Sequence, residues 1–470
     1  MNITKNHLLP ADCAVDLSVG SERGEYVNGD YILRKLGRPH RAVNLMYCYY
    51  PLDEGWPVRA SIAHARDDVS FAWDYPYDDY FPYQTGNLTG EPFASMRDIR
   101  AHGQDVILTL TIDPNVPEKH LIQIARELSV FGRLMLRINH EATGNWFSFN
   151  KRCSYKEVAD FFVRFHNVIK REAPHIQTIL CAGAYDEKTG KIEKEDEFSE
   201  AIKNTDYWSI DKYLALNFGW PYSIAEKDGK KHNFHGVDFV YKHAKDSYHR
   251  FIEICGVAKP MVLSELNADG DVTGAIAQAR AILDFTDKLK ADKERWLNGF
   301  TYYQFRDRGR LGLEIEDPNN KEVGIEQPVM EVYKQIIHEP FFMPRIENTG
   351  RAELPIKMRW GGFEDAEGVA LQIDIEREPV FFELYFGDDD LNLMLEINGR
   401  WFYKAPNTRF VDLMPAFFGK SQYGLTTLNI FAPPANGEND PAQGADWQVN
   451  YYAELKTLPD IRLRYEPIEA

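Results

Sequence analysis

The sequence predicts an α/β chain: a (β/α)8 (TIM) barrel followed by a C-terminal antiparallel β-sandwich. Three observations predict it. Eight short apolar segments alternate with helical stretches up to about residue 340. Several of these segments are apolar on both faces, as parallel strands covered by helices must be. Beyond residue 340 the pattern becomes short alternating segments divided by turn residues, with no long helix between them.

The eight candidate strands are 13–19, 42–50, 105–112, 133–139, 178–185, 207–216, 260–266 and 299–305. Between them, EKHLIQIARELSVF (118–131) and VTGAIAQARAILDFTDKLK (272–290) carry apolar residues at three- and four-residue spacing. Ser154 and Glu157 form a capping box that opens the helix KEVADFFVRFHNVIKREA. Eight such units suggest the barrel. The stretch 51–104, rich in Tyr, Pro and Asp, is expected to be an extended loop with a helix near its end. Residues 1–340 are assigned to the barrel, 341–355 to a linker and 356–470 to the sandwich. Asn398-Gly399 and Asp388-Asp389 mark turns in the sandwich, and 436–446 is a polar loop.

The composition excludes several classes. With 44% hydrophobic and 27% charged residues, the 470-residue chain is ordinary for a globular protein. A formal charge of −18 makes it a poor partner for nucleic acid, whose binding draws on Lys and Arg to displace counterions. No apolar run approaches a membrane span. The start, MNITKNHLLPADCAVDL, lacks the apolar core of a secretory signal, which leaves a cytoplasmic chain or a processed secreted or periplasmic one. The five cysteines are widely spaced and read as core residues. The scattered histidines show no HxH or HExxH spacing at a strand end, so neither metal nor cofactor is expected. Oligomeric state is not encoded in any pattern the sequence shows.

In such a barrel the reactive side chains lie at the C-terminal ends of the strands. Strand four ends in Asn139-His140-Glu141, strand six carries Asp211 and Tyr213, strand seven ends in Glu265, and strand eight ends in Gln304-Phe305-Arg306. Glu141 and Glu265 are 124 residues apart, about three βα units, so both can face one pocket. Paired carboxylates suit glycosidic bond cleavage: one protonates the leaving oxygen while the other attacks the anomeric carbon or activates water. The charge of one raises the proton affinity of the other and so separates the roles. Trp146 and Phe147 would offer flat faces to sugar rings.

At these residues the chain resembles clan A of the glycoside hydrolases. Arg137-x-x-His140-Glu141-x-x-Gly144-x-Trp146-Phe147 is similar to glycoside hydrolase family 26, the β-mannanase family. Asp211-x-Tyr213 and the Glu265 of LSELN resemble its strand-six and strand-seven motifs. The resemblance implies a retaining hydrolase with Glu141 as acid/base and Glu265 as nucleophile. It implies that His140 and Tyr213 orient the nucleophile, that Arg137 holds a carboxylate from beneath, and that Trp146 lines the sugar subsites. The two carboxyls are then expected about 5–5.5 Å apart. Strand eight departs from that pattern, with Gln304 and Phe305 where the family usually presents a tryptophan platform.

Two further readings stay open. The barrel could bind carbohydrate without catalysis, or it could belong to another clan A family and act on a sulfated or uronate-bearing glycan. For the latter, Arg306 would reach the pocket and fork onto an anionic group. Alternatively Arg306, Arg308 and Arg310 pair with Asp307, Glu314 and Glu316 nearby. In the sandwich, Trp360, Trp401 and Trp447 either bind carbohydrate at the surface or are buried by packing on the barrel.

Overall fold

The apolar runs form strands Ala14–Ser18, Ala42–Tyr49, Asp105–Ile112, Met135–Ile138, Gln177–Cys181, Tyr207–Asp211, Met261–Leu266 and Gly299–Tyr302. They are numbered one to eight below. This is a computed structural model, and it describes residues 3–20, 26–58, 81–217, 232–387, 391–434 and 451–467. Each strand pairs in parallel with the next, and strand eight pairs with strand one, so the barrel closes.

The helices form where the spacing predicts them. Helix Glu118–Phe131 buries Leu121, Ile124, Ala125, Leu128 and Phe131, one stripe of its surface. Helix Tyr155–Glu172 opens with both halves of the capping box formed, Ser154 and Glu157 each accepting from the other's backbone N–H. It buries Phe161, Phe162 and Phe165 against the barrel, each worth about 1.5–3 kcal/mol relative to exposure. The predicted helix near the end of 51–104 is Phe93–Ala101. Residues 59–80, within the loop expected over 51–104, and residues 218–231 lie outside the described residues. So do Trp447, the Asp388-Asp389 turn and the polar loop 436–446.

The C-terminal region is built from antiparallel sheets. Strands Ala366–Ile375, Gly424–Phe431, Leu393–Ile397 and Arg400–Lys404 run side by side in the larger sheet. Strand Phe381–Tyr385 lies between Phe410–Asp412 and Asp460–Arg464 in the smaller. Val369, Leu371 and Ile373 of one meet Phe382 and Leu384 of the other in a common core.

The structure corrects the sequence reading at the domain boundary. The chain's first strand, Ile3–Leu9, lies in the larger C-terminal sheet, between Arg345–Arg351 and Ala366–Ile375. The stretch 341–355 thus contains a strand, and residues 3–9 do not belong to the barrel. Trp360 and Trp401 are 2% and 3% exposed, packed with Phe363, Phe431 and the barrel residue Leu33. They cement the sandwich to the barrel, which is the buried alternative for these two tryptophans, with the Trp401 backbone N–H donating to the Gly37 carbonyl at 2.8 Å.

The described cysteines are all reduced, three of them buried. Among the described residues, no helix is long and apolar enough to cross a membrane.

Candidate active site

Strand four ends at Ile138, and the chain then turns sharply. Asn139 and Glu141 both adopt left-handed backbone conformations, at φ 46° and 50°. Such conformations cost on the order of 1–3 kcal/mol each outside glycine and persist only where the surroundings enforce them. Here they do. The Asn139 amide accepts from the Ile112 N–H at 2.6 Å and donates to the Ile112 carbonyl at 3.1 Å. Ala142 N–H donates to the Cys181 carbonyl at 3.1 Å, and Gly144 N–H closes the turn on the Glu141 carbonyl at 2.8 Å. The turn aims the Glu141 side chain into an open cavity of about 720 Å³, which Trp146 and Asp211 also line.

Gly144 has a direct reason to be glycine. A Cβ there would stand 2.6 Å from the Trp146 indole, which folds back over it. From that position Trp146 Nε1 donates to Glu141 Oε2 at 2.8 Å.

The second carboxylate, Glu265 at the end of strand seven, is held by two donors. Arg137 Nη2 lies 3.1 Å from Oε1, and the Tyr213 hydroxyl donates to Oε2 at 2.6 Å. Arg137 is fully buried and is fixed by a relay through the barrel interior. Its Nε donates to Thr109 Oγ1 at 2.7 Å, Thr109 donates to Asn44 Oδ1 at 2.6 Å, and Asn44 Nδ2 donates to Ser18 Oγ at 3.0 Å. Strands one to four thus position a cation that serves strands six and seven. Sequence reading missed Asn44 and Thr109; a polar residue in the middle of an apolar strand is their only signal.

The electrostatics separate the groups. Burial, with the charges of Glu265 and Asp211, pushes the Glu141 carboxyl well above its ordinary value; the Trp146 hydrogen bond and Arg137 oppose this. Burial and Glu265 likewise raise Asp211. Burial and Arg137 push His140 well below the ordinary imidazole value, so it stands neutral, its Nε2 3.6 Å from Glu265 Oε1. Burial and the Glu265 charge keep the Tyr213 hydroxyl protonated, hence a donor.

His140, Asp211 and Glu265 bring possible metal-ligand atoms within 4.8 Å of one another. Arg137 Nη1 and Nη2 already touch two of the three, at 3.5 Å from Asp211 and 3.1 Å from Glu265. The positive charge those carboxylates require is built into the chain.

Of the residues expected at the site, Glu141, Trp146 and Asp211 line the cavity, Arg137, His140 and Tyr213 gather around Glu265, and Phe147, Gln304 and Arg306 join neither group. Phe147 is 2% exposed, stacked on Phe149 with ring centroids 5.3 Å apart and edge-on to His140. Gln304 is fully buried, with Nε2 3.3 Å from Asp307 Oδ1. Arg306 is spent on Glu314, with Nε and Nη2 both donating to Oε2 at 3.1 and 2.9 Å. The physical reason is that strand eight stops at Tyr302, after which Arg306–Asp307 starts a small sheet with Glu314–Asp317 and Asn320–Glu326. Arg308 and Arg310 face Glu316 and Asp271, at 3.8 and 3.5 Å.

No family model and no curated protein matches this chain. Among solved structures, a modular endo-β-1,4-mannanase from Cellulomonas fimi, described with the glycoside hydrolase family 26 mannanases, is similar at 11% identity. It covers 94% of this chain and 93% of its own, with a TM-score of 0.44. A family 39 glycoside hydrolase from Bacteroides cellulosilyticus WH2 is 11% identical over 90% of this chain and 81% of its own, TM-score 0.43. A hyperthermophilic β-glucosidase from Pyrococcus furiosus is 11% identical over 70% and 95%, TM-score 0.42. The fold itself rests on the closed ring of parallel pairings.

Proposed function

We propose that this protein is a retaining glycoside hydrolase that cleaves β-glycosidic bonds of an oligosaccharide or polysaccharide through two glutamates. One observation carries the reading: a Glu141 whose surroundings favour the protonated form couples electrostatically to a Glu265 held by Arg137 and Tyr213. A proton donor and a donor-stabilised carboxylate are the two groups that double displacement requires.

In the first step a Glu265 oxygen bonds to the anomeric carbon, the glycosidic C–O bond breaks, and the Glu141 proton passes to the leaving oxygen. In the second, Glu141 as carboxylate takes a proton from water. The water oxygen attacks the anomeric carbon, and the ester to Glu265 breaks. Neutral His140 and the Arg137 relay keep Glu265 in place through both steps.

The test is covalent trapping. Incubation with 2-deoxy-2-fluoro-β-glycosides bearing a dinitrophenyl leaving group should add one fluoroglycosyl mass to the peptide containing Glu265. Label on any other carboxylate overturns the assignment. Glycan binding with neither label nor turnover would leave a carbohydrate-binding barrel.

A further inference from the structure

We infer that the cavity beside Glu141 is a subsite for an uncharged leaving-group sugar, whose hydroxyls are held between Glu193 and Lys212. The inference rests on the hydrolase reading, in which Glu141 gives its proton to the leaving oxygen. The cavity is lined by Glu141 and not by Glu265, so it adjoins the leaving group.

Lys212 stands between Asp211 and Tyr213, directly after strand six, and lines the cavity. It is partly buried, and among the described residues it makes no hydrogen bond and no ion pair. Glu193 lines the same cavity from the turn after Lys191–Ile192; its backbone N–H donates to the Ala184 carbonyl at 3.1 Å, and its carboxylate has no hydrogen-bond or ion-pair partner among the described residues. Its side chain lies over Gly183, where a Cβ would come within 2.5 Å of the Glu193 Cβ. The two charges feel each other across the cavity, since Glu193 offsets part of the desolvation of the Lys212 ammonium.

Opposite charges that face one space without closing on each other offer a donor and an acceptor to a hydroxyl-bearing ligand. Charge-assisted hydrogen bonds of this kind are the strong ones. Phe239 adds an apolar surface: it lines the cavity yet is 48% exposed, with its ring stacked between His235 and His243 at 5.3 and 5.1 Å. A sugar has one face of C–H groups and a rim of hydroxyls, and suits both features.

The charge balance selects against an acidic sugar. Seven acidic side chains and three lysines line the cavity; with Glu141 protonated the acids still outnumber the lysines, and the Glu193–Lys212 pair itself cancels, so no positive excess awaits an anion. Arg306, the residue that could have served an anionic glycan, is committed to Glu314.

The experiment compares Lys212→Met, Glu193→Gln and Phe239→Ala with the parent. The substrates are β-1,4-linked mannohexaose, cellohexaose and xylohexaose, each set against the 4-nitrophenyl β-glycoside of the same sugar, whose leaving group carries no hydroxyls. Each variant is expected to lose about tenfold or more in kcat/KM on the hexasaccharide that the parent cleaves. Rates on the nitrophenyl glycoside should hold. Equal loss on both substrates, or loss on neither, overturns the inference. Phe239→Ala removes an exposed ring and leaves the buried face of its helix (Val240, Ala244, Phe251) intact, so it reports on the cavity independently of packing around Lys212. If the parent cleaves none of these substrates, turnover does not report on the subsite. Calorimetric binding of the hexasaccharides then decides the subsite: affinity lost in all three variants supports it, and no affinity, or affinity kept in the variants, overturns it.

Discussion

Trp146→Phe removes a single N–H from the site and keeps an aromatic ring above Gly144. In the parent, Trp146 Nε1 donates to Glu141 Oε2 at 2.8 Å. That bond favours the carboxylate over the acid, so it holds the Glu141 proton affinity below what burial and the charges of Glu265 and Asp211 would otherwise set. Without it the carboxylate loses a donor, the proton is retained to higher pH, and the basic limb of the activity profile moves up. A hydrogen bond to a charged acceptor contributes about 1.5–3 kcal/mol net, and the neutral acid keeps part of that. The differential is then about 1.4 kcal/mol, or one pH unit. The assay is kcat/KM against pH on an unactivated oligosaccharide, for which the leaving group needs the proton and the limb reports the free enzyme. A limb that stays in place or moves down would refute the reasoning, because either result means that Trp146 does not act on the Glu141 proton.

Three more outcomes are expected. Glu265→Ala should abolish turnover, whereas Glu141→Ala should spare the first step on aryl glycosides with good leaving groups; turnover of natural glycan by Glu265→Ala would show the nucleophile to be misassigned. Arg306→Ala should destabilise the fold by about 3 kcal/mol, because it strands the buried Glu314 carboxylate. Lys35 and the Tyr31 hydroxyl stay at 3.5 and 2.9 Å from Glu314 and soften the loss. Unchanged urea denaturation would contradict this. Folded Glu141 keeps its proton at pH values where an unfolded glutamate, at about 4.3, has lost it. The folded state then binds more protons than the unfolded one, so this group withdraws stability as pH rises from about 4.3 towards the folded value. Glu141→Gln should therefore gain in Tm over the parent as pH rises through that window, and a pH-independent difference would sink the claim.

Local pattern was enough to locate the strands, the capping box at Ser154 and Glu157, and the two glutamates, because each depends on neighbours in the sequence. An apolar run that ends in Asn-His-Glu reads as a strand whose last residues stand at its C-terminal end, where a barrel keeps its reactive side chains. Even the glycine three residues after Glu141 was visible as a motif, although its cause, an indole folded onto its backbone, is a matter of packing. Other features depended on contacts across hundreds of residues. Strand Ile3–Leu9 finds its hydrogen-bond partners at 345–351 and 366–371, and nothing near residue 3 announces that. Trp360 and Trp401 look alike in sequence whether buried or exposed, and only docking on the barrel hides them. Gln304 and Arg306 sit in the right order after strand eight, yet that strand stops early and its continuation turns aside to meet Glu314. Glu193 and Lys212 are ordinary charges 19 residues apart until the loops after strands five and six set them in one cavity. Periodicity and capping act over one or two turns of chain and can be read from it. Which distant charge or ring fills a given space is decided by closure of the barrel and docking of the sandwich.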